Sequence, residues 1–385
     1  MKRKNEAYWN ASMNRWQIHV QANGVRKTFI SSKVNSKPGC KKGKIEAEKK
    51  ADKWLEAHTI SGTTCCSVLL GLYVEDVKER TGTSNYVQVE KFCRLYITPV
   101  IGRVRIADLT EGHLQSVLNK ARGHGKTNEG EHLAEKTLKG IRATMMQYLR
   151  FCRRYRYTDL HVEGLTIPSG AKRSQRTILQ PEDLTTLLTD DTTLYRGKPR
   201  PEPFIHAYRF AAATGLRPGE LLGLQRRDIK NGIYSIRRSI NEYGEMTDGK
   251  NENARRAGAL GEVASGILED QKAALRERGI VSPYVFPDTD GGPLSQKKYY
   301  AHWKKYCEYH GITEGAMPYE LRHTWCSVND EIPDTLKKMV MGHGKSMDTN
   351  GVYGHIKRGD LEKAAAFTDE ALMPYLKHTP AKSSL

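Results

Sequence analysis

The stretch AAATGLRPGELLGLQRRDI, residues 211–229, decides the fold of the C-terminal half of this chain. An apolar helical run ends at Gly215, and a second helix begins after Pro218 with GELLGL. Arg217 lies in the turn between them, flanked by apolar and turn-forming residues, so we expect its guanidinium to be held in place. A planar group with five N–H donors suits two oxygens of a phosphate. The alternative is a structural arginine that caps a helix end.

The net charge of +18 in 385 residues favours a polyanionic partner, with nucleic acid as the first candidate. Residues 1–60 hold 14 Lys or Arg against 5 Asp or Glu, whereas residues 166–385 hold 32 against 28. This uneven distribution is typical of a basic binding arm attached to a more neutral body. A basic surface that serves only solubility is the alternative interpretation.

The composition argues against membrane, secreted and zinc-binding classes. With 38% hydrophobic and 28% charged residues, and no run near 18 apolar residues, the chain is expected to be globular without a membrane span. The basic N-terminus lacks the apolar stretch of a secretory signal. Seven cysteines without zinc-ligand spacing suit a reducing cytoplasm, and we predict neither a metal nor another cofactor.

Residues 8–31 alternate apolar and polar side chains around Ile18 and turn at Asn23-Gly24, which predicts a β-hairpin. A helix is predicted next, and its apolar face comprises Ala47, Ala51, Trp54 and Leu55. Residues 62–80 are expected to interrupt regular structure, since Ser-Gly-Thr-Thr at 61–64 lies at their start, and helices should follow.

A basic amphipathic helix is predicted in EKTLKGIRATMMQYLRFCRRYRY, residues 135–157. Its apolar side chains recur at three- and four-residue steps: Leu138, Ile141, Met145, Leu149 and Cys152. Its arginines are suited to lie along phosphates, although a solvated face explains the same pattern: Arg142, Arg150, Arg153, Arg154 and Arg156.

Downstream, residues 166–178 have the composition of a linker, and a helix is predicted to begin near Pro181. Short strands are expected over residues 232–262 and helices from about residue 296 onward. The last helix carries an apolar stripe of Leu361, Ala364, Ala365, Phe367, Ala371 and Leu372. This stripe packs either on its own domain or on a neighbouring subunit.

Two further motifs carry residues suited to phosphate chemistry. Arg322 in MPYELRHTW, residues 317–325, provides a second cation that, with Arg217, would neutralise a phosphodiester as a pentacoordinate state forms, without a metal. In MVMGHGKSMDTNGVYGH, residues 339–355, His343 lies ten residues before Tyr353. A tyrosine phenol can attack phosphorus and form a covalent phosphotyrosine, although most tyrosines have core or surface roles.

In their order and spacing, the three motifs resemble the tyrosine recombinase, or phage integrase, family. The first reads T-G-L-R-x-x-E-L-L-x-L at Thr214–Leu224, and the second reads L-R-H-T at Leu321–Thr324. The third is G-H at Gly342-His343, followed by T-x-x-x-Y-x-H at Thr349–His355. The resemblance is strong over roughly residues 175–360 and looser upstream.

The resemblance implies a multidomain, mainly α chain. Its expected parts are a small α+β arm-type DNA-binding domain (1–60), a helical, SAM-like core-binding domain (62–165), a linker (166–178), and an α+β tyrosine recombinase catalytic domain with a C-terminal tail helix (179–385). Double-stranded DNA with core and arm sites is the implied partner, and it would be bound by a homotetramer. A small excision factor is a further candidate partner. The implied location is the bacterial cytoplasm, at the nucleoid.

The resemblance also implies roles for individual residues. Arg217 and Arg322 would bind the scissile phosphate, His343 would hydrogen-bond to it, and Tyr353 would be the nucleophile. Lys250, between the expected strands, matches the family's general acid for the leaving 5′-hydroxyl. Other basic residues near this place could take that role: Lys230, Arg255 and Arg256.

Tyr319 departs from the family pattern, which has histidine three residues before the second arginine. The usual histidine serves proton transfer at the attacking tyrosine, and a phenol is a poorer general base at neutral pH, although it still donates and accepts hydrogen bonds. We therefore expect Tyr319 to tune the rate of an active enzyme. His323 directly follows Arg322, and because successive helical residues point about 100° apart it is predicted to have a packing role.

The implied function is a site-specific recombinase that cuts and rejoins DNA through a 3′-phosphotyrosyl link, integrating or excising a prophage or conjugative transposon. Two alternatives stay open on sequence grounds. One is a catalytically weak DNA-binding regulator with the same fold, and the other is a nicking and closing enzyme like the type IB topoisomerases. The basic arm favours the integrase over the topoisomerase.

Overall fold

A computed structural model of the protein describes residues 5–22, 25–58, 60–123, 133–171, 177–247, 256–313, 315–342 and 359–377. The chain divides into two compact units, residues 1–174 and 175–385. Helices dominate and the strands are short, which confirms the mainly α prediction. None of the helices in these described ranges has the length and apolar character that a membrane crossing requires.

The first unit begins with a sheet and continues with helices. Its strands are β1 (Tyr8–Asn10), β2 (Arg15–Ala22) and β3 (Val25–Ile30). Its helices are α1 (Lys41–His58), α2 (Cys66–Arg80), α3 (Thr83–Phe92), α4 (Thr98–Ile101), α5 (Glu111–Arg122) and α6 (Glu135–Arg154). A π-helical turn, Cys93–Ile97, joins α3 to α4.

The predicted hairpin and its helix form a small module with its own core. β2 pairs antiparallel with β1 and β3, and the last pair of the hairpin is Ala22 with Val25; the turn residues Asn23 and Gly24 lie outside the described part of the chain. Alternation along β2 buries Ile18 against α1, as predicted. The predicted face of α1 supplies the rest of this core: Ala47, Ala51, Trp54 and the partly buried Leu55.

The second core of this unit is helical. All five predicted apolar residues of α6 are fully buried, which confirms its amphipathic pattern: Leu138, Ile141, Met145, Leu149 and Cys152. Two of its arginines donate to backbone carbonyls of the same unit, Arg142 to Leu165 at 3.1 Å and Arg153 to Leu160 at 2.8 Å. These contacts give both side chains a structural partner.

The expected interruption at residues 62–80 is wrong, because α2 begins at Cys66 and runs to Arg80. Leu69, Tyr73 and Val77 recur at four-residue steps on its buried face. The apolar period of a helix was therefore present directly after the turn-forming residues 61–64. Further along, Ile167 and Ala171 pack against this helical core. The boundaries of the four-part domain layout stay a prediction.

The second unit contains the remaining elements. Its helices are α7 (Pro181–Thr189), α8 (Ile205–Thr214), α9 (Pro218–Gly223), α10 (Glu262–Glu277), α11 (Gln296–His310), α12 (Glu320–Val328), α13 (Asp334–Met341) and α14 (Asp360–Lys377). Its strands are β4 (Thr192–Tyr195), β5 (Lys198–Pro201), β6 (Ile229–Lys230), β7 (Ile233–Ile236), β8 (Ser239–Ile240), β9 (Met246–Thr247) and β10 (Arg256–Ala259). They form one three-stranded sheet, in the order β10-β7-β6, and two hairpins.

The helix–turn–helix predicted from residues 211–229 is present at the centre of this unit. α8 is buried at every position except the partly buried His206 and Arg209, and it ends at Gly215, which adopts a left-handed conformation with φ of 64°. A β-carbon at this position would lie 2.8 Å from the ring of Trp325, so both the backbone angle and the packing require glycine. This turn places Arg217 at the N-cap position, directly before α9.

The terminal helix α14 packs on its own unit in this single chain, against α10 and β10. Ala364 and Leu372 of the predicted stripe are buried, and Phe367 packs beside Trp325 and its neighbours. The stripe did not identify Asp369, which is nine-tenths buried and accepts hydrogen bonds from the backbone N–H groups of Glu262 and Val263 at 2.6 and 3.0 Å. A side chain of α14 therefore caps the first turn of α10.

Candidate active site

Three arginines from distant parts of the sequence gather around the carboxylate of Glu220. Arg217 and Arg256 both form ion pairs with this carboxylate. Arg322 is close enough for the charges of Arg217, Arg256 and Glu220 to act on its guanidinium. Glu220 itself is 4% exposed. The structure thus places the two arginines of the first and second motifs, Arg217 and Arg322, in one cluster.

Arg217 is the accessible member of this cluster. It occupies the N-cap of α9, and its backbone N–H donates to Glu220 Oε2 at 3.0 Å while its Nη1 donates to Oε1 at 2.8 Å. Its side chain is 34% exposed. Within the described residues its guanidinium has this single hydrogen-bonded partner, so most of its five donors are available to a ligand.

Arg322 is the buried member, with only 1% of its surface exposed. Nη1 donates to the carbonyl of Gly215 at 2.8 Å, and Nη2 donates to the carbonyl of Met341 at 2.5 Å. These oxygens belong to the C-terminal ends of α8 and α13, where unpaired carbonyls and the helix dipole favour a cation. The side chain therefore joins two helix ends through long-range contacts.

Arg256 is a structural counterpart to these two. Its Nη1 and Nη2 bind Glu220 in a bidentate pair at 2.9 and 2.7 Å, and its Nε donates to the carbonyl of Val340 at 2.7 Å. The adjacent carbonyls of Val340 and Met341 thus each accept a different arginine. Because its donors are committed to these partners, Arg256 fits a positioning role better than the proton-donor role considered as an alternative to Lys250.

The positive charges of the cluster lower the pKa values of both Glu220 and Arg322. Burial opposes ionisation of Glu220, but Arg256 and then Arg217 outweigh it and lower the pKa of this carboxyl to about 2. Burial, together with the positive charges of Arg217 and Arg256, lowers the pKa of Arg322 to about 10. At neutral pH three cations therefore face one carboxylate, and the excess positive charge is suited to a bound anion.

Tyr319 lies at the entrance to α12, one turn before Arg322. It is 38% exposed, and the ring of His323 lies edge-on to it with centroids 5.2 Å apart. His323 thus has an aromatic packing contact, in agreement with its predicted role. The phenol of Tyr319 stays partly open to solvent near the arginines.

The other predicted site residues, Lys250, His343 and Tyr353, lie outside the described part of the chain. Of the alternatives for Lys250, Arg255 also lies outside it, and Lys230 is exposed on β6. Glu220 was missed as a site residue, although its position three residues after the N-cap is that of a capping box and could have indicated it. The long-range pairing of Glu220 with Arg256 has no signal in the sequence.

Comparison with known proteins supports the resemblance drawn from the motifs. Residues 178–359 match the model of the phage integrase family. The chain is 21% identical over 359 residues to the integrase of Staphylococcus phage L54a, an alignment that covers 85% of this chain and 93% of that protein. The recognition of this family from its three motifs is confirmed.

Solved structures with the same fold extend the comparison beyond the catalytic segment. The Tn1549 transposon integrase in complex with transposon right end DNA has a TM-score of 0.57 and 16% identity, and the match covers 79% of this chain and 99% of that one. A lambda integrase tetramer bound to a Holliday junction has a TM-score of 0.57 and 14% identity, covering 93% of this chain and 99% of that one. At these identities the likeness concerns the fold.

Proposed function

Residues 178–359 of this chain form a phage integrase family domain, and on that premise we propose that the protein is a site-specific DNA recombinase that cuts and rejoins strands through a 3′-phosphotyrosyl link. Its reaction integrates or excises a mobile element, a prophage or a conjugative transposon. The observation that carries the proposal is the cluster of Arg217, Arg256 and Arg322 around the single carboxylate of Glu220. An excess of fixed positive charge is what a transferring phosphoryl group requires.

In the proposed reaction the phenol of Tyr353 gives its proton to water at the position where Tyr319 replaces the family's histidine, its oxygen attacks phosphorus, and the bond to the 5′-oxygen of the next nucleotide breaks. The leaving 5′-hydroxyl takes its proton from Lys250, while Arg217, Arg322 and His343 hold the non-bridging oxygens. Rejoining reverses these steps with another 5′-hydroxyl, so the energy of the phosphodiester bond is kept and no nucleotide cofactor is needed. His343 directly follows Gly342 in the sequence, and the neighbouring carbonyl of Met341 accepts from Arg322.

Duplex DNA is the proposed substrate and a tetramer on DNA the proposed assembly. The net charge of +18 and the basic first 60 residues support a nucleic acid partner with core and arm sites. The Tn1549 and lambda integrases of similar fold were solved with DNA, the latter as a tetramer on a Holliday junction. A small excision factor is a further proposed partner.

A suicide DNA substrate tests the chemistry directly. The wild-type protein is expected to give a protein–DNA band that resists denaturation, and Tyr353→Phe should bind the same DNA without forming the band. Tyr319→His should form it faster than the wild type, since it restores a better general base. A wild-type protein that binds the substrate yet never forms the band would instead be a DNA-binding regulator.

A further inference from the structure

The hairpin formed by β4 and β5, residues 192–201, is basic and exposed. Arg196 lies in its turn, Lys198 closes the turn, and Arg200 pairs with Thr193 nearer the base; all three side chains are exposed. The guanidinium of Arg196 lies over the ring of Tyr195, 5.3 Å from its centroid. Across the described ranges, no carboxylate forms an ion pair with any of the three cations.

Several arginines elsewhere in the same unit are held by protein oxygens. Arg209 donates to the carbonyl of Leu187 at 2.7 Å, and Arg238 forms a close ion pair with the buried Asp228. The hairpin cations differ from these because, in the described part of the chain, no protein oxygen is hydrogen-bonded to them. Unpaired cations concentrated on one projecting element are the electrostatic footprint of a polyanion contact.

The backbone of the hairpin prevents a different use, the addition of another strand. Its two-residue turn closes at the pair Tyr195–Lys198, with positive φ of 51° at Arg196 and 74° at Gly197. Hydrogen-bonded and non-hydrogen-bonded pairs alternate from there, so residues 199 and 201 face outward. Both are proline, and the outer edge of β5 therefore has no N–H to offer to a partner strand.

Charge along the hairpin is graded from base to tip. Asp190 and Asp191 are exposed at the base, and Glu202 at the other end of the base is fully buried. Arg196 and Lys198 lie at the tip, and Arg200 lies between the tip and the base. A phosphate group is therefore attracted to the tip and repelled from the base, which limits the contact to a few phosphates.

The base is anchored firmly enough to present that tip. His310 Nε2 donates to the carbonyl of Thr192 at 2.7 Å, and the hydroxyl of Tyr306 donates to the carbonyl of Asp190 at 2.8 Å. Both side chains come from the C-terminal half of α11. The hairpin thus has a fixed position relative to that helix.

This anchor separates the hairpin from the arginine cluster. The first residue of α11, Gln296, donates to the carbonyl of Ile240 at 2.6 Å and lies against Gly219 in the first turn of α9, next to Arg217. His310 is the last residue of α11, which rises roughly 20 Å over its length. The base of the hairpin is therefore on the order of six base pairs of duplex away from the cluster.

We propose that the exposed face of this hairpin, with Arg196 and Lys198 at its tip and Arg200 behind them, is a second contact of the catalytic unit with DNA, binding the sugar–phosphate backbone at a distance from the scissile phosphate. The inference rests on the proposed function, since it takes duplex DNA as the ligand. The contact is independent of base sequence, because it uses unpaired charges alone. Its contribution falls as salt rises.

The test compares two triple variants of the full chain that each remove three exposed cations. One is Arg196→Ala, Lys198→Ala and Arg200→Ala in the hairpin, and the control is Arg227→Ala, Arg276→Ala and Lys305→Ala elsewhere in the same unit. The affinity for a 40-base-pair duplex of arbitrary sequence is measured between 50 and 200 mM NaCl. Log K falls linearly as log salt rises, and each lost phosphate contact makes this slope less steep by about 0.9.

The hairpin variant is expected to lose about 2 to 3 units of this slope and to bind roughly 10-fold or more weakly at 50 mM NaCl, while the control loses less than about 1 unit. Equal slopes for the hairpin variant and the wild type would overturn the inference, as would equal losses in the two variants. The covalent band with the suicide substrate is scored separately. Its absence in the wild type defeats the recombinase function, whereas a slope change still establishes the hairpin contact.

Discussion

The arginine cluster and the basic hairpin belong to the same unit and use the same kind of residue in opposite ways. In the cluster, protein oxygens fix each guanidinium: Arg322 is bound by two helix ends, and Arg256 by Glu220 and Val340. In the hairpin, the cations point into water with no carboxylate partner in the described ranges. Fixed cations can stabilise a charge that develops at one position, whereas solvated cations attract a polyanion over a broad area.

Burial also differs within the cluster, from the buried Arg322 to the accessible Arg217. This difference gives the largest expected effect on stability. Arg322→Ala leaves the carbonyls of Gly215 and Met341 without donors in a buried site, and we expect the free energy of unfolding to fall by about 4 kcal/mol. Arg217→Ala removes a side chain that is 34% exposed, and the cost should be about 1 kcal/mol or less. Urea unfolding followed by tryptophan fluorescence measures both.

Measuring adduct formation distinguishes a catalytic role of Arg217 from a purely structural one. Arg217→Ala should keep the fold and still lower the rate of covalent adduct formation by about 10²- to 10³-fold, because it removes a donor to the transferring phosphoryl group. Arg227→Ala, an exposed arginine outside the cluster, is the matched control. An Arg217→Ala protein with wild-type adduct formation would remove Arg217 from the proposed site.

The carboxylate at the centre of the cluster predicts a dependence of stability on pH. Glu220 has a folded-state pKa of about 2, below its ordinary value of 4.5, so it contributes stability that is complete above pH 4.5 and is lost as the pH falls towards 2. The size of this contribution is about 3 kcal/mol. Glu220→Gln should lower stability at pH 7 by about this amount and flatten the profile between pH 4.5 and 2.

Wild type and variant must be compared within this acid window, because Glu46 in the first unit also has a pKa lowered to about 2, chiefly by its hydrogen bond from Asn35. The control is Glu269→Gln, whose carboxylate is 71% exposed and pairs with Lys272. That change should be within about 0.5 kcal/mol. Parallel pH profiles for wild type and Glu220→Gln would contradict the central role of this carboxylate.

The smallest effect is expected at the terminal helix. Asp369→Asn keeps one acceptor for the N–H groups at the start of α10 but loses the negative charge that favours a helix N-terminus, so we expect a loss of about 1 kcal/mol. The backbone amides in the first turn of α10 should also exchange their hydrogens faster in this variant. Glu370→Gln, the exposed neighbour, should change neither, and equal exchange in both variants would show that α14 does not cap α10 in solution.

Local patterns predicted much of this fold. The spacing of Leu138 and its partners identified α6, and the Gly215 turn located the junction of α8 and α9 correctly. Both depend on interactions within a few residues of sequence, where period and turn chemistry act directly. The same logic failed at α2, because the turn-forming residues 61–64 lie just before the helix and the interruption was extended from them over residues with a helical period.

The cluster could be predicted only in part. The motifs identified Arg217 and Arg322 as candidates for one phosphate, but the carboxylate between the arginines and the commitment of Arg256 to it depend on residues 36 positions apart. The cap that Asp369 provides to α10 joins residues 107 positions apart. Neither contact has a local signature, since any acid and base in the chain are equally compatible with pairing until the fold brings two of them together.

By itself, the sequence determined the mainly α character of the chain, the positions of its principal helices and the three motifs of the family, because each is written in short-range spacing. Only the tertiary structure decided which arginine is buried, which is accessible and which donors remain free. A guanidinium is held or released according to the oxygens around it, and for Arg322 those oxygens come from helix ends 107 and 19 residues away.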